Sequence, residues 1–144
     1  MRLLIAAAVA ATCIATPAAA QSWYRVAGND DTVHYVDAST IVTKNGKTMV
    51  WTQTVFREPI NDVLVSARIQ SEYTCANNSF RTIEYVYYGA GGKFLGKEPS
   101  ETIDEVRHPG PGSIDASILK YVCTREGGVK VASPLADSEG YFAQ

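Results

Sequence analysis

The sequence predicts an α+β domain: an antiparallel β-sheet of about six strands with one C-terminal helix docked on one face through a disulfide. Three observations predict it. From Trp23 to about Val106, short β-branched and aromatic runs alternate with turn residues. One apolar stripe at helical spacing follows between Ile114 and Val122. Of the cysteines left after the leader, Cys75 falls among the strands and Cys123 at the end of that stripe, so pairing them staples helix to sheet.

The leader itself reads as a secretion signal. Met1-Arg2 carries one positive charge into an Ala-rich apolar stretch ending near Ile14. Thr16-Pro17 then break the helix, and Ala18-Ala19-Ala20 supply small residues for cleavage before Gln21. The expected organisation is a signal peptide at 1–20, one domain at 21–127 and a flexible tail at 128–144. The tail is so read because Gly, Ser, Pro134 and small residues dominate it. Cys13 departs with the leader, and Ala10-Ala11-Thr12 before it make no lipobox. In an oxidising compartment the remaining pair implies one disulfide.

The strands follow in order. Trp23–Val26 is stopped by four turn formers, Gly28-Asn29-Asp30-Asp31. Thr32–Asp37 alternates Val33, Tyr35 and Asp37 against His34 and Val36, and Asp37–Thr40 reads as a single helical turn. Asn45-Gly46 between β-branched runs predicts a type I′ hairpin, its second arm continuing to about Phe56. A further hairpin spans Val65 to Tyr88. With Asn77-Asn78 as a two-residue turn, Cys75 faces Phe80, Tyr73 faces Thr82 and Ile69 faces Val86 on an apolar side. The other side then carries Arg68 opposite Tyr87, Gln70 opposite Tyr85, and Thr74 opposite Arg81. After Pro109-Gly110-Pro111-Gly112, Ser113 is a fitting N-cap with Asp115 in the first turn. Ile114, Ile118, Leu119, Tyr121 and Val122 form the buried stripe, and Gly127-Gly128 end it.

Composition narrows the function. With Arg2 gone from the 13 Lys and Arg, 12 face 15 Asp and Glu, a net charge of −3. That argues against nucleic acid and anionic lipid as partners. No apolar run beyond the leader could span a bilayer, so no integral membrane segment is expected. No metal-ligand cluster, nucleophile motif or phosphate loop occurs, and we expect neither cofactor nor catalytic residue. His34 with Asp37, or Glu105 with His108, could be drawn as acid–base pairs, but solvated charges explain them as well. The positive candidate is the outward face of the 65–88 hairpin, where Arg68, Arg81, Tyr85 and Tyr87 are residue types enriched at protein interfaces. Tyr and Arg also simply suit half-exposed strands, and both readings stand at this point.

Several short pieces carry a family resemblance in order: Trp23, Tyr35-Val36-Asp37, Ser39-Thr40-Ile41, Val50-Trp51, Glu72-Tyr73-Thr74-Cys75, Arg81-Thr82-Ile83, and Pro111-Gly112-Ser113 through Tyr121-Val122-Cys123. From about Trp23 to Thr124 the chain resembles the surface-adhesin protein E-like domain of Gram-negative bacteria. The resemblance implies a six-stranded antiparallel sheet with the C-terminal helix disulfide-linked to its concave side, and it implies a homodimer. It further implies a secreted or periplasmic binding module for an extracellular protein, the family's adhesin binding host matrix and serum proteins. The alternative expectation is a periplasmic envelope-maintenance factor or hydrolase inhibitor. Either way the location is exported, in the periplasm or at the cell surface.

Overall fold

The computed structural model describes residues 20–144. The leader reading and Cys13 fall on residues 1–19, outside the described residues. The described residues form eight strands: β1 (Trp23–Gly28), β2 (Thr32–Asp37), β3 (Val42–Lys44), β4 (Lys47–Ile60), β5 (Leu64–Thr74), β6 (Ser79–Tyr88), β7 (Phe94–Pro99) and β8 (Val129–Val131). Two α-helices among the described residues join them, α1 (Ile114–Thr124) and α2 (Pro134–Phe142). One antiparallel sheet runs β7-β6-β5-β4-β2-β1-β8, with β3 paired to the start of β4. No helix among the described residues is long and apolar enough to cross a membrane.

The local turn chemistry acts as expected. Asn29 Oδ1 accepts the N–H groups of Asp31 and Thr32, closing the β1–β2 turn. Asn45 and Gly46 both take positive φ, 52° and 74°, which is what a type I′ turn demands. Ser113 caps α1 by accepting from the Ala116 N–H at 3.1 Å. The helix stops at Arg125, whose left-handed φ of 63° ends it ahead of the glycines.

Strand alternation sends two sets of side chains to opposite faces. The α1 face gathers Val36, Val50, Tyr73 and Phe80 against Ile118, Leu119, Tyr121 and Val122 of the helix. Each such side chain, once fully buried, contributes roughly 1.5–3 kcal/mol. Cys75 and Cys123 close a disulfide at the edge of this cluster, with Cα atoms 5.7 Å apart. The fold class predicted from sequence therefore holds, with eight strands rather than about six.

The opposite face has its own core of Trp23, Val33, Tyr35 and Val55, and here the expectation for residues 128–144 needs correction. They form no loose tail. Val129–Val131 pair with β1, and α2 lays Leu135, Tyr141 and Phe142 on this second cluster. A half-buried carboxylate fixes the helix: both oxygens of Asp137 accept from Arg25 Nη1, at 2.9 Å each, and the Tyr35 hydroxyl donates to it at 2.8 Å. Without this lid, four large apolar side chains of β1, β2 and β4 would face water.

The β5–β6 register also departs from expectation. A two-residue I′ turn needs positive φ at both central residues, but only Asn78 adopts it, at 52°. Asn77 instead sits in a 3₁₀ turn, Cys75–Asn77, and its side chain accepts from the Ser79 hydroxyl. Thr74 consequently pairs with Ser79 and Tyr73 with Phe80. A β-bulge then inserts Ile83 between the pairs Ser71–Thr82 and Gln70–Glu84. Beyond it, every side chain of β6 exchanges faces relative to the expected pattern.

Candidate functional site

The bulge decides which side chains meet. Tyr85 now pairs with Ile69, and Tyr87 with Ala67, which puts both tyrosines on the α1 face. Arg68 pairs with Gln53 and Arg81 with Glu72 on the α2 face. The four residues expected to share one surface are therefore two pairs on opposite sides of the sheet.

The two arginines serve the structure. Arg81 donates to Glu72 Oε1 at 3.0 Å and to the Ile103 carbonyl at 3.3 Å. Arg68 reaches back over the sheet to Trp23 and Trp51, 5.4 Å from each ring centroid, with Asp37 beneath it. The two tyrosines are different. Helix α1 covers only the half of its face nearest the disulfide, leaving Tyr85 and Tyr87 half-exposed. Their rings lie parallel within 5°, centroids 6.1 Å apart. Tyr87 donates its hydroxyl to Glu98 Oε1 on β7 at 2.6 Å. Partial burial and this carboxylate raise the Tyr87 phenol to about 12, so its hydroxyl stays protonated and hydrogen-bonding at neutral pH.

Where the open half meets the N-terminal end of α1, a cleft of about 160 Å³ is lined by His34, Thr52, Thr54, Tyr85, Arg107 and Asp115 among others. Neither end of His34 is free, because its ring is hydrogen-bonded with the hydroxyls of Thr32 at 2.9 Å and Thr54 at 3.0 Å. Burial lowers its pKa to about 4, against the pull of Asp115 in the other direction. Asp37 lies on the opposite face, paired with Trp23 of β1, so the two are no acid–base couple. Among the described residues no group of His, Cys, Asp and Glu could hold a metal ion.

The half-buried imidazole makes stability depend on pH with a definite sign. Above pH 6.5 it is neutral in both folded and unfolded chains, and its contribution is fully present. Between 6.5 and about 4 the unfolded chain takes up a proton that the folded one refuses. Stability should fall by up to about 1.4 kcal/mol per pH unit in that window, and by about 3 kcal/mol in all. Urea unfolding at several pH values checks this, and His34→Gln should flatten the slope. An equally steep slope in the variant would assign the effect to other groups.

A short antiparallel sheet, stapled to a helix by one disulfide and left half uncovered beside it, defines a class: small disulfide-pinned domains built around a free sheet face. The chain belongs to the surface-adhesin protein E family, whose model matches residues 23–124. Solved structures of Haemophilus influenzae protein E share the fold. One superposes with a TM-score of 0.52 at 15% identity, covering 73% of this chain and 86% of its own. A second crystal form gives 0.53 at 16%, covering 73% and 89%. Protein E from non-typeable Haemophilus influenzae gives 0.50 at 13%, covering 78% and 82%. No protein of curated function matches the chain. The family match stops at Thr124, so β8 and α2 lie beyond it.

Proposed function

We propose that this chain is an exported, non-catalytic binding module that engages an extracellular or envelope protein through the open half of its α1 face. One observation carries the reading: Tyr85 and Tyr87 form a parallel, half-exposed pair on the stretch of sheet that α1 leaves bare. Tyrosine offers a large, rigid contact area with a hydroxyl at its rim, the combination favoured at interface centres. Membership of an adhesin family supports a partner outside the cytoplasm. Arg68 and Arg81 drop out of this surface, and Glu98 joins it through its bond to Tyr87. A second copy of the chain is the rival occupant of the same face.

The test uses Tyr85→Ala combined with Tyr87→Ala on immobilised extracellular-matrix proteins. Capture of whichever of them the unaltered protein binds should fall at least ten-fold, while the melting temperature drops by only a few degrees. Unchanged capture would remove the tyrosines from the interface, and a collapse in melting temperature would make them core. Protease shaving of intact cells, scored beside a periplasmic control, separates display at the surface from residence in the periplasm.

A further inference from the structure

The α2 face holds an arginine that makes no hydrogen bond among the described residues. Arg68 is largely sequestered, its side chain 23% exposed, and Nε is enclosed without a partner. Its contact with Asp37 is 3.6 Å from Nη2 to Oδ2, too long for a hydrogen bond. Asp37 Oδ1 is saturated by the N–H groups of Ser22 and Ser39 and by the Ser39 hydroxyl, whereas Oδ2 has no hydrogen bond. Among the described residues Arg68 therefore makes ion-pair and aromatic contacts but no hydrogen bond, and for the enclosed Nε–H that is a costly state, whereas the Nη groups remain open to a partner.

Beside it lies a cavity of about 240 Å³, lined by Trp23, Gln53, Arg68, Tyr88, Ser133 and Leu135 among others. We propose that this cavity is a binding site for a carboxylate, received by the Arg68 guanidinium between the sheet and the start of α2. Indole rings stand against the guanidinium, which leaves its N–H edge as the part able to bond. Two parallel N–H groups on a flat edge match the two oxygens of a carboxylate. Asp37 holds the cation in place from the sheet side, and Gln53, fixed through Nε2 to the Ser66 hydroxyl at 3.2 Å, keeps its carbonyl oxygen for a ligand N–H. The first turn of α2 faces the same space, and its dipole favours negative charge there. The volume suits a small organic acid or the terminal residue of a peptide, not a folded segment. This site is separate from the tyrosine face and stands or falls without it.

Trp23 and Trp51 are the chain's only tryptophans, and both touch Arg68, so intrinsic emission reports on the site. The mature protein is titrated with acetyl-Ala-Ala bearing a free carboxylate, with the same peptide amidated, with acetate, and with inorganic phosphate. The free acid should give a saturable change with a dissociation constant on the order of 1 mM. The amide should bind at least ten-fold more weakly, and Arg68→Lys, which keeps charge but loses the fork, should weaken the acid at least five-fold. Acetate binding as well as the peptide would support a free small acid as the source, and a tighter peptide would support a chain terminus. The proposal is overturned by silence in every titration, by equal binding of acid and amide, by phosphate outcompeting the carboxylates, or by a folded Arg68→Lys that binds undiminished. The titrations of unaltered protein decide the matter even where the variant does not fold. The Tyr85→Ala, Tyr87→Ala protein should bind the acid normally.

Discussion

Deleting residues 129–144 should lower stability by about 3 kcal/mol or more, where a loose tail would cost nothing. The deletion strips Leu135, Tyr141 and Phe142 from the second core and exposes Trp23, Val33, Tyr35 and Val55. It leaves Arg25 and Tyr35 without the Asp137 carboxylate, and it frees the outer edge of β1. For a domain of this size the melting temperature should drop by about 10 °C. The bare edge and apolar patch should also drive self-association, visible by light scattering at micromolar concentration. A truncated protein that melts like the full chain and stays monomeric would mean that α2 is undocked in solution.

Removing the disulfide, by Cys75→Ser with Cys123→Ser, should cost about 4 kcal/mol. The bond closes a loop with a sequence separation of 48, and the unfolded chain regains that loop's freedom when it is cut. The loss is a large share of the roughly 5–15 kcal/mol typical of a domain. It also bears on one element in particular, since a helix of 11 residues holds poorly on its own. Far-UV circular dichroism should therefore show helical signal melting ahead of strand signal in the serine variant. A midpoint within a few degrees of the disulfide-bonded form would show that packing of Ile118, Leu119, Tyr121 and Val122 suffices to hold α1.

Much of the fold was legible because local chemistry and long-range packing agree. Asn45-Gly46, the alternation in Thr32–Asp37, the Ser113 cap and the two cysteines each have one cheap structural solution, and the chain adopts it. Strand β7 was harder to see, since Gly96 and Pro99 are poor strand formers and it lies at a sheet edge. The second helix did leave a mark that composition obscured. Ser133 followed by Pro134 and then Asp137 is an N-cap, a first-turn proline and a first-turn acid. The face assignment of Tyr85 and Tyr87 was not legible. Thr82-Ile83-Glu84 alternates like any strand, and nothing in it says that one residue goes unpaired. Arg68 was singled out for its type, but only the fold reveals that its Nε is enclosed without a hydrogen-bonding partner among the described residues.

The bulge at Ile83 lies at a boundary within the hairpin. On one side are Tyr73 and Phe80, locked beneath α1, and on the other are the tyrosines that α1 leaves bare. Side-chain parity in the two stretches is therefore set independently. Drawing Ile83 into the ladder opposite Gln70, with no change in chain length, would turn Glu84, Val86 and Tyr88 outward in place of Tyr85 and Tyr87, while Phe80 and Thr82 kept their places. A one-residue slip in pairing at that point thus rewrites what the domain displays without asking the core to adapt.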